Sequence, residues 1–273
     1  MFTEGDIRLS PGGVGYRALD LAGPWADGER TPVVFQHGLG LDGRAWAPWI
    51  RRLADDRPIV SIDMRGHGAS AAMWRPPSHD VAEYAGDVLD VLDHLGVARC
   101  HFVGESFGGT VGLWLGVQAP ERFASIAVAS TAWRGAYVNN VADWPGLLAA
   151  AGGLERWTET IIDGSFDAAE DDPAMIAWAR SAHLAVAPEV VAALVTSIRA
   201  VDLGPDLERL RMPILNLVAG RSPFVDVAQH DELQRRAADC IRVDFPKAKH
   251  RLFMACADNC VDAWIARFGE ADG

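Results

Sequence analysis

Cys100-His101-Phe102-Val103-Gly104-Glu105-Ser106-Phe107-Gly108-Gly109-Thr110-Val111 passes from an apolar stretch of strand length, through a serine flanked by glycines, into a segment that is apolar nearly all round. Strand, tight turn and buried helix follow one another within a dozen residues. A Gly-x-Ser-x-Gly turn of this kind needs its glycines because a side chain at either flanking position would collide with neighbouring backbone. The serine is thereby held up at the edge of a sheet, which suits a nucleophile. The helix that follows, Gly109 to Val117, carries Val111, Leu113, Trp114 and Leu115 and is read as a central buried helix.

Outward from this point, apolar runs bounded by turn residues recur at Val33–Phe35, Ile59–Ile62, Ile126–Ala129, Ile214–Val218 and Ile241–Val243. With the run ending at Val103 they make six strands, nearly continuous in apolar character, as expected of a parallel sheet covered on both faces. Val81, Tyr84, Ala85, Val88, Leu92 and Leu95 follow helical spacing and predict a helix from about His79 to Leu95, capped at Gly96. The alternation spans residues 30–130 and resumes near 211, which argues for an α/β layered fold with right-handed crossovers. Residues 134–207 break the rhythm with helical patterns only. They are read as a helical cap inserted into a core of residues 1–133 and 208–273, placed to fold over the carboxyl ends of the strands.

Composition narrows the function classes. The chain has 273 residues, with Lys plus Arg at 25 against Asp plus Glu at 37 and a net charge of −12, which repels nucleic acid and anionic lipid surfaces. No apolar run is long enough to span a bilayer, and Met1 to Asp6 lacks the basic-then-apolar pattern of a signal peptide, so the expected location is cytoplasmic. Cys100, Cys240, Cys256 and Cys260 form no Cys-x-x-Cys pair and no metal-binding spacing, so buried thiols are expected, with no cofactor and no metal. The expected partner is a small-molecule substrate. The sequence sets no oligomeric state, a homodimer being among those it allows.

A serine hydroxyl needs an adjacent base to attack at neutral pH. Of the eight histidines, His250 stands on a loop beyond the apolar run Ile241 to Phe245 and before the helix from Cys256 to Phe268, at a sheet end. It is the expected general base for Ser106. His37-Gly38-Leu39-Gly40 follows the strand Val33–Phe35. A glycine-rich turn there lets the Leu39 N–H point at developing negative charge, and the Phe107 N–H, at the start of a helix, is the expected second donor.

These segments, with Asp63-Met64-Arg65-Gly66-His67-Gly68-Ala69-Ser70, stand in the order found in the α/β-hydrolase superfamily, which the chain resembles over nearly its whole length. Within it, Leu115 to Arg122, Ser130-Thr131-Ala132 and the insertion from Leu154 to Leu203 are similar to the branch containing 3-oxoadipate enol-lactonases. The resemblance implies a catalytic triad, an acyl-enzyme and a structural role for Asp63 to Ser70. It also exposes a departure. The family places an aspartate after the strand that here is Ile214–Val218, whereas this chain reads Gly220-Arg221-Ser222-Pro223-Phe224-Val225-Asp226. The other family position, near Ser130, holds no carboxylate either. Three alternatives stay open: Asp226 reaches back as the acid, Ser222 or a backbone carbonyl orients the imidazole, or the triad is incomplete.

Ten tryptophans are present, and Trp133, Trp144, Trp157 and Trp178 fall in or beside the insertion. Together they suggest a pocket roofed by aromatic side chains, suited to a small, mostly apolar or ring-bearing ester or lactone. Carbon–carbon bond hydrolysis of a dienoate and slow-turnover ligand binding are the competing readings. Arg134, Arg180 and Arg199 are the cations within the insertion considered for a substrate carboxylate.

Overall fold

The computed structural model describes residues 7–21, 30–73 and 80–269. The segment Met1 to Asp6 and the expected first residue of the long helix, His79, lie outside the described residues. In chain order the elements are β1 (Arg8–Leu9), β2 (Gly15–Leu19), β3 (Val33–Gln36), α1 (Ala47–Leu53), β4 (Ile59–Ile62), α2 (Val81–His94), β5 (Cys100–Glu105) and α3 (Phe107–Gln118). Then come β6 (Phe123–Ala129), α4 (Trp144–Ala149), α5 (Gly153–Ser165), α6 (Pro173–Leu184), α7 (Pro188–Ala200), β7 (Ile214–Ala219), α8 (Val227–Arg236), β8 (Cys240–Phe245), α9 (Leu252–Ala255) and α10 (Ala257–Phe268).

The strands form one eight-stranded sheet in the order β1-β2-β4-β3-β5-β6-β7-β8. From β4 through β8 every pairing is parallel. The pairings of β2 with β1 and with β4 are antiparallel. This is the α/β fold expected, with two additional strands. The sequence reading missed β1 and β2 because β1 is only two residues long and β2 places Arg17 among apolar neighbours, so neither forms a continuous apolar run. It also missed α1, whose apolar face is a short Trp49–Leu53 pair.

Alternating side chains of one strand serve two cores. In β3, Val34 joins α2 and α3 on one face, while Val33 and Phe35 join α1 and α10 on the other. Burial of each such side chain contributes about 1.5–3 kcal/mol, and β3 and β5 are buried along their whole length. The strand bearing the glycine-flanked serine is thus held in the centre of the sheet. Between β6 and β7 the chain forms α4 to α7 and no strand. Trp144, Trp157, Val191 and Leu194 of these helices join the same apolar cluster as α2 and α3. Among the described residues no single helix is long and apolar enough to cross a membrane. The four cysteines are free thiols, Cys100 and Cys260 buried and the other two partly so.

Candidate active site

β5 ends at Glu105 and α3 begins at Phe107, so Ser106 alone makes the turn between them, with φ +52° and ψ −123°. Positive φ at a serine is strained, and the surrounding structure must hold it. The Ser106 N–H bonds the Ala129 carbonyl on β6 and its own carbonyl accepts from Thr110, fixing both sides of the turn. A Cβ on Gly104 would lie 2.5 Å from the Gly108 carbonyl oxygen, and one on Gly108 would lie 2.4 Å from the Gln36 carbonyl oxygen. The two glycines are therefore steric requirements of the turn.

The His250 Nε2 lies 3.1 Å from Ser106 Oγ, and the Nδ1 lies 2.9 Å from Ser222 Oγ. Ser222 Oγ also accepts from the Phe224 N–H at 3.3 Å. With Nδ1 protonated and donating to Ser222, Nε2 is left free to accept the Ser106 proton. Burial first, then the Arg251 guanidinium, then His230 hold the imidazole well below its usual value, which favours the neutral ring. The ring packs edge-on against Phe224 at 4.9 Å.

Asp226 requires correction. It is exposed, and its carboxylate accepts from the Ala228 N–H as the N-cap of α8. The turn from Gly220 to Val225 aims Ser222 at the imidazole and carries Asp226 past it, so the serine, and neither Asp226 nor a backbone carbonyl, is the recorded partner of Nδ1.

The loop after β3 is braced atom by atom. Met64 N–H donates to His37 Nε2 at 2.9 Å and Gly40 N–H to His67 Nε2 at 3.1 Å, so both rings carry their proton on Nδ1. Burial lowers His37 to about 4 and His67 to about 3. These neutral rings tie the loop to the Asp63 to Ser70 turn, where Asp63 accepts from the Gly43 and Ala69 N–H groups. The Gly38 N–H donates to Glu105 Oε2 at 3.1 Å, and the Leu39 carbonyl accepts from Arg251 Nη2 at 2.7 Å. No acceptor is recorded for the intervening Leu39 N–H among the described residues. The Phe107 N–H, first in α3, has no intrahelical acceptor either.

A cavity with an empty volume of about 570 Å³ opens over Ser106 and His250. Leu39, Phe107, Thr110, Phe224, Val225 and Arg251 line it from the sheet side, and Ala132, Val138, Trp144, Trp157, Ile161, Ile198 and Val201 from the segment between β6 and β7. Trp144 meets both Trp157 and Phe224 edge-on, at 6.1 and 5.9 Å. Trp133 and Trp178 are not in the wall. Trp133 is buried with its indole N–H donated to the Gln229 carbonyl, and Trp178 is a half-buried neighbour of the Arg44 guanidinium. Arg134 pairs with Asp202 and Arg180 with Glu159, and neither they nor Arg199 line the cavity.

The family described as alpha/beta hydrolase fold matches residues 31–256 of the chain. The chain belongs to this family. Its likeness to 3-oxoadipate enol-lactonase 2 of Acinetobacter baylyi is 28% identity over 204 residues, 73% of this chain and 74% of the other. With 3-oxoadipate enol-lactonase 1 of the same organism it shares 40% over 105 residues, 38% of each chain. The crystal structure of an enol-lactonase from Burkholderia xenovorans LB400 superimposes with a TM-score of 0.82 at 24% identity, over 97% of this alpha/beta hydrolase and all of the other chain, a likeness of fold. Family membership, with the lactonase relatives, supports hydrolase activity.

Two residues beside the site escaped sequence reading: Glu105 and Arg251, both buried and paired at 2.5 Å. The available signal, for Glu105 alone, was a carboxylate at the end of a fully buried strand, immediately before the serine.

Proposed function

We propose that the protein is a serine hydrolase that cleaves a small, uncharged, apolar or ring-bearing ester or lactone through an acyl-enzyme. The observation that carries this reading is the unbroken chain Ser106–His250–Ser222, with contacts of 3.1 and 2.9 Å, at the floor of an apolar cavity.

Ser106 Oγ attacks the substrate carbonyl carbon while its proton passes to His250 Nε2. The carbonyl oxygen takes up the negative charge and is received by the N–H groups of Leu39 and Phe107, which form an oxyanion hole. Collapse breaks the bond to the leaving oxygen, which receives the proton from Nε2. Water then attacks the acyl-enzyme by the same route, losing a proton to His250, which returns it to Ser106 Oγ. Ser222 holds the imidazole in the tautomer that this sequence of transfers requires. The helices α4 to α7 act as a cap that supplies both tryptophans of the cavity wall and shields the site from water.

The charge of the substrate follows from the lining. Arg251 is the one cationic side chain among the described residues of the cavity wall, and its Nη1 and Nη2 are taken by Glu105 and the Leu39 carbonyl. Arg251 is already neutralised by Glu105 and its one nitrogen without a partner, Nε, is buried, so a substrate carboxylate would meet no uncompensated positive charge, which is costly in an apolar site. Supporting observations are the family and the lactonase and esterase names of similar proteins. The test is release of p-nitrophenol from short neutral esters and from size-matched esters bearing a carboxylate. The wild type is expected to hydrolyse the neutral series with kcat/KM at least ~100-fold higher, and Ser106→Ala is expected to abolish the reaction. Equal rates on both series would overturn the charge assignment, and turnover by Ser106→Ala would overturn the nucleophile.

A further inference from the structure

The chain neighbours of the proposed nucleophile and base are bonded to each other. Glu105 precedes Ser106, Arg251 follows His250, and Arg251 Nη1 donates to Glu105 Oε2 at 2.5 Å. Both side chains are almost wholly shielded from solvent. Glu105 Oε2 also holds the Gly38 N–H, and Arg251 Nη2 holds the Leu39 carbonyl and lies 3.3 Å from His183 Nε2 on α6. One ion pair therefore brackets the Leu39 amide from both sides. The second carboxylate oxygen, Oε1, is buried with no hydrogen-bond partner and lies 3.6 Å from His250 Nε2. A buried carboxylate oxygen left unmatched is unfavourable and calls for an explanation.

The reaction supplies one. Once Ser106 has lost its proton, His250 is an imidazolium in a dry site. Ser222 orients that ring but carries no charge to offset it, whereas a triad aspartate does both. We propose that Glu105 is the counter-charge of the His250 imidazolium, so that the two tasks of a triad acid are divided between Ser222 on the Nδ1 side and Glu105 on the Nε2 side. This inference rests on the serine-hydrolase reading above. Glu105 is a positioning residue, acting through His250.

The distance suits the task. At 3.6 Å the carboxylate attracts the imidazolium but is too far to capture its proton in a good hydrogen bond, so Nε2–H stays directed at Ser106 Oγ, 3.1 Å away, and at the leaving group. Arg251 makes the pair neutral overall, so a carboxylate near the oxyanion hole does not repel the developing oxyanion. The charged and titratable groups around the ring are Glu105 from β5, Arg251 beside it in the chain and His230 from α8, with His183 of α6 set against Arg251. Burial keeps His183 well below its usual value and hence neutral.

The test is the pH dependence of kcat/KM on a neutral p-nitrophenyl ester for the wild type, Glu105→Gln, and the double variant Glu105→Gln/Arg251→Met. In Glu105→Gln the plateau is expected to fall about 100-fold through kcat, with KM changed less than about threefold, and the acid limb, set jointly by the coupled Glu105 and His250 groups, to move to lower pH. The double variant replaces both charges with neutral side chains, a change that folds tolerate, and it is expected to keep the plateau deficit. Recovery of the double variant to near wild-type rates would show that Glu105 serves only to satisfy Arg251, and would overturn the proposal, as would a limb that stays in place in a folded Glu105→Gln. If Glu105→Gln fails to fold, the double variant decides alone. Rapid fluorophosphonate labelling of the wild type keeps the two readings apart: labelled protein with unchanged variants sinks only the role of Glu105, while an inert wild type sinks the serine-hydrolase reading itself.

Discussion

The turn after β5 and the turn after β7 both leave the carboxyl edge of the same sheet, and both deliver a serine to His250. They differ in what holds them. Around Ser106 the backbone passes so close to its neighbours that a Cβ at Gly104 or Gly108 would fall within 2.5 Å of another backbone atom, and the serine itself takes φ +52°. Around Ser222 the crowding is confined to Gly220, where a Cβ would fall 2.7 Å from the Pro246 Cα, and Ser222 itself does not take a positive φ. Beyond that single glycine the turn is made of ordinary loop residues, and which of them meets the imidazole depends on where a whole helix, α8, begins. The first turn writes its chemistry into the sequence as a glycine pattern, and the second does not.

The comparison breaks most visibly if Ser106 is expendable. Ser106→Ala is expected to lower ester turnover by about 10⁴-fold or more, read as initial rates under saturating substrate. Ser222→Ala removes the Nδ1 partner but leaves nucleophile and base in place, and should lower kcat by about 10- to 100-fold with little change in KM, because imidazole orientation is only part of the catalytic contribution. In the same assay Asp226→Ala should stay within about twofold of wild type and instead cost about 1 kcal/mol of stability in a urea melt, the loss of an N-cap. A reversal of these two results would return Asp226 to the catalytic set.

The pH profile sharpens the account of His250. His250 must be neutral to act as the proposed base, and its folded value is depressed by burial, Arg251 and His230, in that order. Activity should therefore persist as pH falls below 6.5, the ordinary histidine value, and be lost only as pH drops through the depressed one. A wild-type limb at or above 6.5 would contradict the burial of the ring. The smallest effect concerns the tryptophans. Trp157→Phe should raise KM for neutral esters a few-fold because it lines the cavity, whereas Trp178→Phe should leave kinetics unaltered.

Much of the frame was legible in the sequence because strands buried on both faces must be apolar throughout, so β3 to β7 announce themselves; β8, a half-exposed strand at the end of the sheet, showed only through Ile241 to Val243, of which Ile241 is exposed. That Ser106, His250, Leu39 and Phe107 share one sheet edge was legible because local backbone geometry or chain order constrains them, and all four line the cavity. β1 and β2 were not, since an edge ribbon with alternating burial tolerates polar residues such as Arg17. Asp226 stood beside the nearer serine among the open alternatives because a carboxylate is the chemically expected partner, yet its side chain is committed to capping α8. Glu105 and Arg251 are far apart in sequence, and no local pattern pairs them. Of the four tryptophans, composition alone offered no means of telling Trp144 and Trp157, which face the cavity, from Trp133 and Trp178.

The central claim is that Ser106 is an activated nucleophile even though no carboxylate meets His250 Nδ1. The direct measurement is covalent modification by a fluorophosphonate at neutral pH, followed by intact-mass analysis and peptide mapping. The account predicts rapid addition of one phosphonyl group per chain, located on Ser106 and absent from Ser106→Ala and strongly slowed in His250→Ala. A folded wild type that stays unmodified, or one modified elsewhere, would contradict it.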